Sequence, residues 1–392
     1  MRRMRSWQSW SWQLAIGTLC LIVSTALSAQ PAEEFADADG GAEWDRGETG
    51  EAATDSFSLP GEFGLELELE GTAFFSPALD DAQREFYGSV AARPEYLLEF
   101  DDGDQLIEVQ LFCRYDSHDK RRRRVDAREL SWSIFSDYWE LRMGVSRVYW
   151  GATESRQLVD IINQVDSLED LRGQDRLGQP MINPAIITDY GTLSLFALPY
   201  FRERDFAGPV GRPRLPLPVA VDRAEYESED EEFHLDLAAR YSHSLGPLDF
   251  GAGYFQGTAR EPVFQEARDA NGRPLLIPFY QLIRRGSLDA QLILGGWALK
   301  FEGIYEEEEN APAANYFAAV AGFEYTFVGI FGTLYDLGVI GEYLYDERLE
   351  LAPQPFDDDV FAGVRFVLND DASTEVLAGV IVDRHRGTAL YQ

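Results

Sequence analysis

The chain has 392 residues, a formal net charge of −34, 13% aromatic and 26% charged residues, and a mean hydropathy of −0.26. So negative a balance excludes a general nucleic-acid binder, because phosphates would be repelled rather than neutralised. The length fits two or three soluble domains, or one large β-barrel.

The N-terminus sets the compartment. MRRMRSWQSWSWQ supplies a basic segment with Arg2, Arg3 and Arg5; LAIGTLCLIVSTAL is a short apolar stretch; Ala26, Ser28 and Ala29 offer a cleavage site. That layout predicts a secretory signal peptide over residues 1–29. Gly17, Thr18 and Leu19 make a poor lipobox ahead of Cys20, so no lipid anchor is expected there. With Cys20 removed, Cys113 stands alone and no internal disulfide can form. Cys113 alternates with Ile107, Val109 and Leu111, which predicts a packing residue rather than a reactive thiol. Residues 30–62 are acidic, rich in Gly and Ala and without apolar periodicity, the composition of a disordered tail.

From residue 63 onward the chain alternates. In GLELELEGTAFF, Leu65, Leu67, Leu69, Ala73 and Phe75 share one face and Glu66, Glu68 and Glu70 the other. The same period of two predicts fifteen strands, at 64–75, 89–100, 105–115, 125–135, 139–149, 179–187, 192–200, 233–243, 248–259, 277–293, 297–306, 316–327, 333–345, 359–368 and 373–384. A further strand begins in RGTALYQ, so a closed structure would have about sixteen, the last truncated; the alternative is that the 277–306 region is miscounted by one. DDGD, SDY, DYG, SLGP, LGG, GIFG and NDD mark short turns that alternate with long polar connections. Short turns on one side and long loops on the other predict an all-β transmembrane antiparallel barrel over residues 63–392. Closure satisfies every backbone group in lipid, and Phe75, Tyr115, Trp132, Trp139, Trp297, Tyr305, Phe327 and Tyr345 would form interfacial girdles. A propeller would show a blade-length repeat, which is absent; a sandwich rarely needs so many strands of this length.

Lipid excludes charge, so the charged face points to the lumen. The predicted lining includes Glu66, Glu68, Glu108, Glu140, Asp236, Glu302 and Glu342 with Arg114, Arg142, Arg240 and Arg365. Carboxylates dominate, and a barrel of this size leaves room for enclosed water. Such a pore favours cations and neutral solutes over anions; the competing reading is that these carboxylates are solvated or paired with the arginines.

WGATESRQLVDIINQVD, Trp150 to Asp166, breaks the alternation. Thr153 could cap a helix from Glu154 to Gln164 with Leu158, Ile161, Ile162 and Val165 on its apolar side. A connection of this length with its own helix is expected to be functional. Segment 151–178 is therefore read as a helical inward loop that narrows the pore, with Trp150, Glu154, Arg156, Asp160, Asn163 and Asp166 at the constriction. The alternative is a helix on the outer rim.

Three lesser features complete the reading. Arg121, Arg122 and Arg123 lie in a loop suited to bidentate contact with lipopolysaccharide phosphates, or to pairing with Asp116 and Asp119. Glu306 to Glu309 lack the spaced oxygens of a calcium loop. His234 with Asp236 is the best catalytic candidate, but alternation alone places two polar residues so; no enzyme, metal or cofactor is expected.

The stretch from Arg142 to Phe196 resembles a segment of proteobacterial porin-like outer-membrane barrels, distantly similar to the alginate-export type, through Trp150, Gly151, Asp160, Asn163, Asp166, Asn183 and Pro184. The resemblance implies a strand ending in Trp-Gly that leads into an Asn/Asp-rich loop and a short hairpin. The acidic lining argues against a polyanionic polysaccharide. The expectation is a channel in a Gram-negative outer membrane for small hydrophilic, cationic or neutral solutes. Its partners would be lipid, lipopolysaccharide and the barrel-assembly machinery, with no nucleic acid. A substrate-specific channel for a polysaccharide or hydrophobic compound, and a non-conducting structural or surface-binding barrel, are the alternatives.

Overall fold

The computed structural model describes residues 18–29, 60–75, 77–170, 173–310, 314–349, 357–370, 373–384 and 389–391. The predicted acidic tail lies outside them up to residue 59, as does the basic start of the signal segment.

One antiparallel sheet dominates. After β1 (Thr18–Ala29), its strands are β2 (Glu62–Phe74), β3 (Phe86–Phe100), β4 (Gln105–Asp116), β5 (Arg124–Phe135), β6 (Trp139–Ser146), β7 (Gln179–Thr188) and β8 (Gly191–Leu198). The short β9 (Glu225–Tyr226) stands apart. The main sheet continues with β10 (Asp236–Leu245) and β11 (Leu248–Thr258), is interrupted by the hairpin β12 (Val263–Arg268) and β13 (Pro274–Tyr280), and resumes at β14 (Leu282–Leu294). It finishes with β15 (Trp297–Glu308), β16 (Tyr316–Phe327), β17 (Asp336–Asp346), β18 (Asp358–Val367), β19 (Glu375–Asp383) and β20 (Ala389–Tyr391). Each main strand pairs with the next, so all seven short turns fall at one end and the long connections at the other.

From β2 to β19 the sheet contains the fifteen strands expected from alternation. The expected strand at 277–293 is in fact two elements that part at Gln281; β13 leaves the main sheet to pair with β12 and, in parallel, with β9. β1 pairs with β2 from Thr18 opposite Phe74 to Ala29 opposite Phe63, so the apolar part of the expected signal peptide occupies one sheet edge. β20 pairs with β19 at the other edge, where the additional strand was expected to begin.

The sheet is curled. Trp150, after β6, packs on Phe196 of β8, while Glu154, four residues on, pairs with Arg365 of β18. Four residues reach at most about 14 Å, whereas β8 and β18 would stand about 34 Å apart in a flat sheet. Side chains stand roughly perpendicular to a sheet and cannot make up that distance along it. Curvature around the segment brings both within reach.

The two faces differ as the alternation requires. Leu67, Leu69, Val90, Leu130, Ile186, Leu193, Leu237, Leu288, Leu299, Val364 and Val382 all expose their side chains outward, and the eight expected girdle aromatics do the same. An apolar belt on every strand far exceeds what a water-facing monomer shows, and lipid is the solvent that accommodates it. The fold is an outer-membrane β-barrel.

One device escapes a period of two. The β4–β5 register shifts between Gln110 and Leu111, so Glu129 lies opposite Gln110 and Ala127 opposite Leu111. This bulge turns both Arg128 and Glu129 into the buried interior.

Candidate functional site

The lumen is filled, in its long-loop half, by the segment between β6 and β7. No helix forms there: the expectation of a helix over Glu154–Gln164 is corrected, and the segment is irregular apart from an isolated pairing of Val165 with Arg176. The reason lies in the wall. Glu302 of β15 accepts hydrogen bonds from the backbone N–H groups of Ala152 (2.7 Å), Thr153 (2.9 Å), Leu158 (2.7 Å) and Val159 (3.2 Å). Glu342 of β17 accepts from Glu154 and Ser155, both at 2.8 Å, and from the Ser155 hydroxyl. Two buried carboxylates thus take the Leu158 and Val159 donors that a helix would have satisfied internally, together with the Ala152–Ser155 donors that its first turn would have left open, and charge-assisted bonds are the stronger kind. Thr153 caps nothing; its Oγ1 lies 2.7 Å from both the Arg156 carbonyl and Glu302.

Gly151 explains the Trp-Gly pair. Its φ is +110°, and a Cβ there would stand 2.5 Å from Glu302 Oε1. Only glycine admits both that backbone conformation and that approach.

The expected constriction residues come together, but as anchors. Trp150 is buried, edge-on to Phe196 and 5.0 Å from the Arg240 guanidinium. Glu154 pairs with Arg365 at 2.6 Å and Arg156 with Asp346 at 3.4 Å. Asp160 is buried against Arg176 at 3.0 Å. Asn163 donates to the carbonyls of Ser146 (2.8 Å) and Leu177 (2.9 Å) and accepts from Val148 N–H (2.9 Å), tying the segment to both flanking strands. Asp166 is enclosed between Arg124 and Arg128. Asp160, Asn163 and Asp166 therefore face protein, not the solute path expected for them.

Burial pushes the Asp160 carboxyl up to about 6, although Arg176 opposes it. Burial would raise Asp166 too, but Arg124 and Arg128 outweigh it and hold that carboxyl below its ordinary range.

The apolar residues of the segment complete the filling. Leu158, Val159, Ile161 and Ile162 join one cluster with inward side chains of the wall, including Phe255, Ile304, Leu344 and Phe361. The lumen is thus not water-filled throughout, as its strand number alone implied. On the basic wall, Phe112 is enclosed by the guanidinium groups of Arg93, Arg114, Arg124 and Arg128, at 4.7 to 5.6 Å from its ring. Each guanidinium also holds carboxylates: Arg93 meets Glu66 and Glu68, and Arg114 meets Glu68, Glu70 and Glu169.

Toward the short turns the lumen opens. A cavity of about 190 Å³ is lined by Ser133, Glu140, Arg142, Trp150, Asn183, Ser194, Arg240 and Ser242, among others. A second, of about 400 Å³, reaches Asp249 and Asp289 beside Arg240. Arg240 pairs with Asp289 at 2.6 Å. Glu108 lies on the same face of β4, as its pairing with Ser131 shows. The expected lining residues therefore share one face of the sheet, most of the basic ones in ion pairs.

Sequence reasoning missed Arg128, Arg176 and Arg260. Arg260 donates to the carbonyls of Ile161 (3.0 Å) and Ile162 (3.2 Å) and pairs with Asp236 at 2.8 Å. The arginine-rich RVDAREL was the available signal, but the bulge hides the inward parity of Arg128. His234, 2.9 Å from Asp236, belongs to this same anchor. Arg121 donates to the Phe206 and Val219 carbonyls and Arg122 pairs with Glu70 and Asp116. Of the three arginines expected at lipopolysaccharide, Arg123 alone lies over an outward ring, that of Tyr115 at 4.7 Å.

No family model matches the chain, and no curated protein is similar to it in sequence. Among solved structures it is similar to a high-pH structure of OprB from Pseudomonas putida, at 11% identity and a TM-score of 0.40, over 81% of this chain and 87% of that one. It is also similar to the outer membrane channel DcaP of Acinetobacter baumannii, at 9% identity and a TM-score of 0.33, over 96% of this chain and 94% of that one.

Proposed function

We propose that the chain is a porin-like channel through which small hydrophilic solutes, cationic or neutral, diffuse passively, and that segment 151–178 sets its narrowest point. The observation that carries this reading is the contrast along the lumen: a polar cavity at the short-turn end leads to a segment pinned across the barrel by wall charges. Carboxylates outnumber basic groups on the lumen face, which favours cations. The reading includes export through the N-terminal signal segment, which N-terminal sequencing of the membrane-extracted protein checks.

One observation favours a second reading. The apolar cluster around Leu158 and Ile162 has the packing of a plug, which a non-conducting barrel would also need. Planar-bilayer recording of the purified protein separates the two. Ohmic current with a cation-selective reversal potential supports the channel. Silence in the intact chain, with current only once the segment is removed, supports the plug.

A further inference from the structure

We propose that Asp357, Asp359 and Asp383 bind a divalent cation of the hard, oxygen-seeking kind, with calcium the best match. Asp359 of β18 and Asp383 of β19 are direct cross-strand partners on the inward face. Asp357 precedes β18; its carbonyl accepts the Asp346 N–H at 2.8 Å, which fixes it to the end of β17. All three are buried, and one carboxylate oxygen of each lies within 4.8 Å of the others.

The second observation is at Asp359. Its side chain is fully buried, its Oδ1 accepts no hydrogen bond from any described residue, and its Oδ2 is bonded only within the group, by Asp357 N–H at 3.0 Å. Other buried carboxylates of this lumen meet either guanidinium groups, as Glu68 meets Arg114, Asp166 meets Arg128, Asp236 meets Arg260 and Asp346 meets Arg348, or several backbone N–H groups, as Glu302 and Glu342 do. Asp359 takes part in no such pair among the described residues. Like charges held so close in a poorly solvated place are relieved by a bound cation or by a shared proton, and the cation is the one the calcium titration detects.

The geometry suits calcium. Calcium takes six to eight oxygens at about 2.3–2.6 Å, so oxygens on opposite sides of the ion stand about 4.8 Å apart. Three carboxylates, mono- or bidentate, supply about three to six oxygens of that shell and water the rest. An ion there would fasten β18 to β19 and to the end of β17, at the long-loop rim and beside the sheet edge formed by β20. In the acidic run Glu306 to Glu309, by contrast, Glu306 is buried against Arg285 and Glu307 is only half-buried.

The test uses the full chain in lipid nanodiscs, freed of metal with a chelator and titrated with calcium by calorimetry, with thermal unfolding followed in parallel. One calcium per chain and a higher Tm in calcium than in chelator are expected. Asp359→Asn should weaken binding at least tenfold and abolish the Tm shift, whereas Glu307→Gln should leave both unchanged. Wild-type protein that takes up no calcium at millimolar concentration overturns the proposal, as does Asp359→Asn binding like wild type. Should Asp359→Asn fail to fold, terbium luminescence on the wild type serves instead: displacement by calcium supports the site, and its absence overturns it.

Discussion

The lumen segment is held in two different ways along its length. From Ala152 to Val159 the wall supplies carboxylates, Glu302 and Glu342, and these grip backbone N–H groups. From Asp166 to Glu169 the wall supplies guanidinium groups, and these grip the segment's own carboxylates. The first mode rests mainly on backbone shape, hence Gly151, with the Thr153 and Ser155 hydroxyls adding to it. The second reads particular acidic residues. The difference shows why a lumen can be rich in charge without offering that charge to a solute: much of it holds the segment in place.

The largest expected effect comes from removing the gripped segment. Replacing residues 152–176 with a short Gly/Ser linker should raise single-channel conductance several-fold; an unaltered conductance would show that the narrowest point lies elsewhere. Next is the backbone grip. Glu302→Ala leaves buried N–H donors without an acceptor and should cost about 3–5 kcal/mol in urea unfolding from vesicles. It should also add open-channel noise, and noise like that of the wild type would argue that Glu342 suffices alone.

The side-chain grip should prove weaker at any single point, because Asp166 keeps Arg124 when Arg128 is lost. Arg128→Ala is expected to cost about 2–3 kcal/mol, and a loss as large as that of Glu302→Ala would erase the distinction between the two modes.

Proton dependence sharpens the comparison. Asp160 has its folded pKa raised to about 6 from 3.8, so the folded chain holds an extra proton between those values. Its contribution is present below pH 3.8 and lost as pH rises through about 6, to a total of roughly 3 kcal/mol. Asp166 has its pKa lowered, so its contribution is present above the unfolded pKa and lost as pH falls through the folded one. Asp160→Asn should flatten the stability profile between pH 4 and 6, and a profile with the wild-type slope there would assign that slope to other groups.

The smallest effect is on selectivity. Asp166→Asn, being walled off by arginines, should leave the reversal potential within a few millivolts of wild type. Glu140→Gln, in the open cavity, should shift it toward anions. The reverse order would return Asp166 to the solute path.

Much of the fold was legible in the sequence because a strand in a membrane barrel answers to two solvents at once. Leu65, Leu67 and Leu69 against Glu66, Glu68 and Glu70 settle which face meets lipid, and the same rule located the fifteen main-sheet strands from β2 to β19, though not β9 or β12 outside that sheet. It failed at Pro274–Leu294, where two elements run together without a break in apolar content. It failed again at Arg128, where a bulge reverses parity that counting by two cannot see. The segment after Trp150 was recognisable as exceptional, but its conformation was not. Leu158, Ile161, Ile162 and Val165 have helical spacing, and locally a helix is a sound solution for their donors.

The sequence by itself determined the barrel and its two faces, since alternation is a local property and lipid enforces it strand by strand. Tertiary structure alone decided the shape of the inner segment. Glu302 and Glu342 lie more than a hundred residues away in the chain, and only the curled wall brings their carboxylates to the backbone, where they fix residues 152–155 and take the Leu158 and Val159 N–H groups from the helix.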